Sequence, residues 1–339
     1  MTDEKIPLPL RLDFLRELYK IRALDGRMQA LQRQGRVGFY GTCTGQEAVP
    51  VALGFALEQA DWVFPALRES SVLLVRGFPL ETYIAQVFGN QRDVLKGRQM
   101  PSHMSGRARN VVSWSSCIGT QLTHAVGAAW AAKIRGEQMI AAACLGDGAT
   151  SSADFHSALN FAQVFRVPCI FVCQNNQWAI STPASRQSNT KTFAEKASAY
   201  AMPAERVDGN DVCGLYTAFL RASARARSGL GPTFLECVTY RIGPHSTSDD
   251  PTLYRSEAEV EQWRARDPIA RLERELAAEG AFDERAGAAL KAELGAALDA
   301  ALASVEGEPL PPRATLFDDV YAQLPPHLIE QRGELFALG

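Results

Sequence analysis

The run Leu145-Gly146-Asp147-Gly148-Ala149-Thr150 carries an apolar stretch through two glycines into a helix-like one. Backbone N–H groups left free at such a turn attract phosphate. A carboxylate in the same turn would repel phosphate unless a cation lies between them. Asp147 therefore implies a divalent metal that bridges its carboxylate and a diphosphate. Magnesium takes oxygen ligands and commonly includes phosphate oxygens among them. The plain alternative is a structural turn with Asp147 as a helix cap. Neither standard nucleotide motif fits. Ser151 stands where a dinucleotide fingerprint needs its third glycine, and no Gly-Lys-Ser/Thr of a P-loop is present.

A second segment strengthens the metal reading. The apolar run 168–173 leads into Gln174-Asn175-Asn176-Gln177-Trp178. Ligands of a parallel sheet gather beyond the carboxyl ends of its strands. Two strand ends, one with Asp147 and one with Asn176, could thus face one ion, with Asn176 supplying a neutral oxygen. Alone, an Asn pair reads as a turn. Elsewhere, His245 sits in the polar loop Gly243-Pro244-His245-Ser246-Thr247-Ser248-Asp249-Asp250, an unusual setting for a core histidine. His124 and His156 fall on helical patterns and read as structural, and His327 lies in the C-terminal tail. His103 lies in a loop that is a candidate neighbour of the site.

Elements must position these residues. Apolar residues at helical spacing predict a helix over 10–34. Glycines at 35, 38, 41 and 45 mark a loop around Phe39 and Tyr40. A second helix is predicted over 46–59, then a short apolar segment 62–65 and helix-like sequence over 69–76. Residues 90–115 read as a long loop, which in a compact domain is usually functional or disordered. A buried helix over 119–134 has Leu122, Val126, Trp130 and Ile134 on one side. Strands are predicted over 139–145, 168–173 and 233–241. Helices are predicted over 152–165, with Phe155, Leu159, Ala162 and Val164 or Phe165 inward, and over 193–201 and 211–228. Strands alternating with helices indicate a parallel α/β sheet. From 256 onward the chain is charged and helical apart from prolines at 309, 311 and 312.

The 339 residues, 46% hydrophobic, can bury a sizeable core. A net charge of -3 without a basic stripe argues against a nucleic-acid partner. Lys96, Arg98, Arg107 and Arg109 form a local basic cluster, read first as a solvated loop, with a phosphate-side role as the alternative. Seven cysteines without a CxxC pair argue against zinc or a redox dithiol; Cys169 and Cys173 read as buried small hydrophobes. The start of the chain resembles neither a secretory signal nor a transit peptide, and no apolar stretch reaches membrane-spanning length. The expectation is a cytoplasmic protein with reduced thiols.

GDG, then 26 residues, then Asn-Asn resembles the signature of thiamine-diphosphate enzymes. In that family the Asp, the second Asn and a backbone carbonyl two residues later hold magnesium on the diphosphate, which carries those roles to Asp147, Asn176 and Trp178. Lys96-Gly97-Arg98-Gln99-Met100-Pro101, Ala179-Ile180-Ser181-Thr182, Val207-Asp208-Gly209-Asn210-Asp211, Tyr240-Arg241-Ile242-Gly243-Pro244-His245 and Leu316-Phe317-Asp318-Asp319-Val320-Tyr321 look like the α subunit of branched-chain 2-oxo acid dehydrogenases, over about residues 10–330.

The resemblance implies a thiamine-diphosphate-binding α/β fold. A mostly parallel central sheet flanked by helices would fill residues 1–255, with a helical C-terminal extension over 256–339. It implies cofactor contacts from Arg68, Ser116, Ile118, Gly146, Asp147, Gly148, Ala149, Gln174, Asn176, Trp178 and His245. His245 would also serve lipoyl acylation as donor or general acid. Leu67 replaces a common Tyr before Arg68, and Gln174 an Arg of some relatives. Potassium, bound by some relatives through this segment, would fall on Ser115, Cys117, Thr120 and Gln121. The implied reaction is decarboxylation of a 2-oxo acid and reductive acylation of a lipoyl group on an acyltransferase. A β subunit would supply a catalytic Glu, in an α2β2 assembly. Ser246 resembles a phosphorylated position of mitochondrial relatives. Pyruvate or acetoin chemistry and a noncatalytic phosphate-binding module stay open as alternatives.

Overall fold

The structure is a computed structural model that describes residues 6–338; the acidic start of the chain, residues 1–5, lies outside the described residues. The elements run α1 (Leu8–Arg33), α2 (Ala48–Ala56), β1 (Trp62–Phe64), α3 (Val72–Val75), α4 (Leu80–Phe88), α5 (Thr120–Arg135), β2 (Ala141–Gly146), α6 (Ala153–Val164), β3 (Cys169–Asn175), β4 (Trp178–Ala179), β5 (Thr182–Pro183), β6 (Ala204–Asp208), α7 (Val212–Arg227), β7 (Thr233–Val238), α8 (Glu257–Arg264), α9 (Pro268–Ala278), α10 (Glu284–Glu306) and α11 (Pro326–Ala337). The main sheet has the order β1-β2-β3-β7-β6, and every pairing in it is parallel.

The sheet is buried on both faces because successive side chains of a strand point to opposite sides. Ala142 and Cys144 of β2, Ile170 and Val172 of β3, and Leu235 and Cys237 of β7 join a core shared with α1, α2, α7, α9 and α10. Ala141, Ala143 and Leu145, with Cys169, Phe171 and Cys173, join the opposite core with α5 and α6. Cys169 and Cys173 are thus buried small hydrophobes. Helix α1 also meets the C-terminal helices through charge. Arg11 pairs with Glu279 at 2.6 Å and Arg22 with Asp267 at 2.8 Å, while Arg16 and Arg27 pair with Glu293 and Asp299, and Arg36, just past α1, with Glu306.

Some sequence expectations shift. Four further elements, α4, β4, β5 and β6, appear. Strand β6 reads Ala-Glu-Arg-Val-Asp and is half exposed at the sheet edge, so it lacks the apolar run of a central strand. Val164 and Phe165 face outward, 66% and 40% exposed, and Ile134 is 71% exposed; the inner face of these helices is completed by alanines instead. Segment 69–76 splits into a 3-10 turn and one short helical turn. The 90–115 loop keeps a single 3-10 turn at Arg107–Arg109. Its basic cluster is partly paired: Lys96 and Arg98 bind Asp319, the latter at 3.1 Å. No helix among the described residues is long and apolar enough to cross a membrane.

Candidate active site

The register of β2 on β3 sets Gly146 against Gln174, so the Asp147 turn and the Asn175-Asn176 pair leave the sheet side by side. Between these strand ends lies a pocket of ≈ 650 Å³. All the residues expected to meet a cofactor line it: Arg68, Ser116, Ile118, Gly146, Asp147, Gly148, Ala149, Gln174, Asn176, Trp178 and His245.

Asp147 is 1% exposed. Burial raises its pKa to about 6, against the pull of backbone N–H groups, the Gln187 amide and the more distant Arg241. Gln187 Nε2 donates to its Oδ2 at 2.8 Å, a contact the sequence did not reveal because the two lie 40 residues apart. A buried carboxylate of this kind is stabilised by a cation. Among the described residues no cluster of three His, Cys, Asp or Glu side chains could hold a metal, so a cation here would need neutral oxygens and ligand phosphates. The donor set fits. Asn176 Oδ1 accepts from Trp178 N at 3.2 Å, and its Nδ2 donates to Gln46 Oε1 at 2.9 Å. The amide is thereby oriented, and Oδ1 keeps a second lone pair. Trp178 O accepts from Arg241 Nη1 at 3.1 Å and likewise keeps one. At Gly148 a Cβ would stand 2.6 Å from Ala179 Cβ, so only glycine lets the turn approach β4.

Arg68 is buried at the opposite wall. Its guanidinium donates to Thr42 O and, at 2.5 Å, to His245 O. Burial, and then Arg241, lower its pKa to about 10, so it remains a cation suited to a diphosphate. Arg68 Nη2 also lies 3.3 Å from His245 Nδ1. Since Arg has no acceptor, Nδ1 must accept, and the imidazole proton sits on Nε2. Burial first, then Arg68 and Arg241, push His245 down to about 4. Of the two roles expected from the resemblance, donor or general acid, this state favours the first: the histidine is a neutral N–H donor at pH 7.

A polar network supports the His245 loop. Arg241 Nη2 donates to Ile180 O at 2.7 Å and to Tyr254 Oη at 2.9 Å. Tyr254 Oη donates to Asp249 Oδ2 at 2.5 Å, which also accepts from His245 N at 2.7 Å. Ile180, a pocket residue, has φ 55°, costly for a β-branched side chain; the Arg241 bond to its carbonyl helps hold it. The polar spacing of the loop hinted that it had work other than packing, but not which partners it would find.

The remaining expectations divide. Ser116 Oγ lies 2.7 Å from His103 Nε2, and His103 Nδ1 lies 3.1 Å from Pro101 O. A carbonyl only accepts, so Nδ1 carries the proton and Ser116 donates to Nε2. The structure thus brings His103 to the edge of the site. Ile118 is 62% exposed, an aliphatic wall rather than core. Gln174 directs Nε2 to Gln46 O at 3.1 Å, and its Oε1 is buried without a partner. Ser115, Cys117, Thr120 and Gln121 share one turn, where Thr120 Oγ1 donates to Cys117 O at 2.7 Å. His124 and His156 are exposed, and His156 bonds Tyr200 at 2.6 Å.

Known proteins resemble this chain over almost its whole length. The model of the family described as dehydrogenase E1 component matches residues 16–313. The chain is 42% identical to a 2-oxoisovalerate dehydrogenase subunit alpha of Pseudomonas aeruginosa, over 95% of this chain and 80% of that protein. It is 43% identical to a 3-methyl-2-oxobutanoate dehydrogenase subunit alpha of Mycobacterium tuberculosis, over 95% and 87%. It is 40% identical to the mitochondrial 2-oxoisovalerate dehydrogenase subunit alpha of Homo sapiens, over 98% and 75%.

Proposed function

Because the chain belongs to the dehydrogenase E1 component family, we propose that it is the thiamine-diphosphate-binding α subunit of a branched-chain 2-oxo acid dehydrogenase. The observation that carries the reading is the convergence of Asp147, Asn176 and Trp178 at two adjacent strand ends, opposite Arg68 and His245, in one pocket. Magnesium would be held by Asp147, Asn176 Oδ1 and Trp178 O, and Arg68 would take diphosphate oxygens. Thiamine diphosphate, when bound, supplies the electron sink that lets a 2-oxo acid lose its carboxylate.

The protein's own part is to bind, orient and donate a hydrogen bond. The neutral Nε2–H of His245 donates a hydrogen bond within the pocket and steadies the acyl group during transfer to a lipoyl group. Phe39, Leu67, Trp114, Ile118 and Ile180 make the pocket walls largely apolar, which suits a branched aliphatic side chain better than the methyl of pyruvate. Acetoin is the other substrate of the same chemistry. A β subunit, an α2β2 assembly and a lipoyl-bearing acyltransferase complete the proposal, and potassium is assigned to the turn of Ser115, Cys117, Thr120 and Gln121. The helical segment 256–339 is proposed as an extension of the 1–255 domain. The seven cysteines are all free, as suits a reducing compartment, and a cytoplasmic location is proposed on that account.

The test is reconstitution. The chain mixed with its β partner, thiamine diphosphate and magnesium should decarboxylate 3-methyl-2-oxobutanoate with an artificial electron acceptor, in preference to pyruvate. Turnover by this chain alone, or a preference for pyruvate, would overturn the shared-site or the substrate reading respectively.

A further inference from the structure

We infer that Asp25, a buried carboxylate of α1 outside the pocket, is a positioning residue that pins the 40–44 segment on which both Arg68 and the His245 loop rest. The inference deepens the proposed function and rests on its assignment of the pocket to a diphosphate cofactor.

Asp25 is 2% exposed. Its Oδ1 accepts from Tyr40 Oη at 3.0 Å, and its Oδ2 from Cys43 N at 2.7 Å and Thr44 Oγ1 at 3.0 Å. All three donors lie on one short segment, so the carboxylate ties that segment to the long helix α1. The other side of the segment carries the site. Thr42 O accepts from the Arg68 guanidinium. Tyr40 N donates to Thr247 Oγ1 at 3.2 Å, and Thr247 N returns a bond to Tyr40 O at 3.2 Å. Ile242 N donates to Thr44 O at 3.4 Å. His245 is therefore flanked on both sides by residues that hang from the segment, and Arg68 bonds both the segment and the His245 carbonyl.

The packing leaves little slack. Gly45 has φ +91°, and a Cβ there would stand 2.7 Å from Tyr240 O. A Cβ on Gly243 would stand 3.0 Å from Thr42 Oγ1. A shift of the 40–44 segment is thus transmitted to the loop rather than absorbed. The residue type is informative as well. Burial, and then Glu47, push Asp25 up to about 7, so a carboxylate costs stability at this position. Two acceptor oxygens facing three donors are what a neutral side chain cannot reproduce: an Asn offers one oxygen and a donor.

The test uses the full-length chain in the assembly in which it purifies. Amide hydrogen exchange is measured without cofactor, and thiamine diphosphate binding by calorimetry with magnesium. Asp25→Ala should speed exchange in segments 40–47 and 242–249 about tenfold or more, and weaken cofactor binding about tenfold, while β2 and β3 exchange as in the wild type. Asp25→Asn keeps one acceptor for Cys43 N but sets an amide donor among the remaining donors, so it should recover only part of both losses and leave the same two segments loosened. Unchanged exchange in the two segments would overturn the inference. So would acceleration spread evenly over β2 and β3, which marks a contribution to global stability only. If the Ala variant does not fold, Asp25→Asn decides by the same patterns: selective loosening supports the inference, and an even or absent effect overturns it. A wild-type chain that binds no thiamine diphosphate would remove the cofactor reading, while the exchange pattern would still decide the role of Asp25.

Discussion

Asp147→Asn should make the cofactor-free protein more stable while abolishing its response to magnesium and thiamine diphosphate. Asp147 is displaced upward from 3.8 to about 6 by burial. A group whose folded pKa lies above its unfolded value destabilises the fold at higher pH: the cost is absent below about 4 and complete above about 6. At 1.36 kcal/mol per pH unit, that displacement corresponds to ~3 kcal/mol at pH 7. An Asn would remove the charge but lose part of the acceptor capacity now met by Gln187 and backbone N–H groups, about 1 kcal/mol. The expected net gain is ~2 kcal/mol, seen as a rise of a few degrees in the cofactor-free Tm. The same logic makes cofactor-free wild type more stable as pH falls from 7 towards 4, so far as this group contributes. Adding magnesium and thiamine diphosphate should then raise the wild-type Tm and leave the variant unmoved, because the carboxylate that joins metal to turn is gone. The assay is thermal unfolding of both proteins at pH 5 and 7, with and without the ligands. A variant that gains nothing without ligands yet responds normally to them would refute both the burial argument and the metal assignment.

His245→Ala should leave the fold intact and lower lipoyl acylation about 100- to 1,000-fold, the usual loss on removing one positioned hydrogen-bond donor; near wild-type acylation would refute its role. Because burial, Arg68 and Arg241 hold His245 down to about 4 in the cofactor-free protein, nitrogen NMR should show a neutral Nε2–H ring from pH 6 to 8, and a titration near 6.5 would contradict the site electrostatics. Gln187→Leu removes the amide that orients Asp147 and should weaken magnesium-dependent cofactor binding about tenfold with little change in Tm; unchanged affinity by calorimetry would show that Asp147 needs no such support.

Much of the site was legible in the chain because its key groups are local to strand ends. A glycine turn containing a carboxylate, and an Asn pair after an apolar run, are contiguous patterns. Once both runs are read as parallel strands, their carboxyl ends must lie at one edge of the sheet. The buried strands β2, β3 and β7 were legible for the same reason: a strand covered on both faces is a short run of apolar residues. The edge strand β6 was not, since an exposed edge accepts Glu205, Arg206 and Asp208. Helical periodicity placed the inner face of α6 well at Phe155 and Leu159 but misjudged its end at Val164 and Phe165, where Phe165 stacks on Trp130 of α5 instead.

What the sequence offered by itself is a carboxylate in a glycine turn, an Asn pair after an apolar run and a histidine in a polar loop, with Arg68 added by the family resemblance. What only the tertiary structure decided is the state in which those groups are held. Gln187 reaches Asp147 across 40 residues, Arg68 meets His245 across 177, and Asp25 gathers Tyr40, Cys43 and Thr44 beneath them. The tautomer of His245 and the pKa values of Asp147 and His245 depend on which dipoles and charges surround each group and on how much water is excluded. Those are properties of packing between distant segments, and no local spacing of residues encodes them.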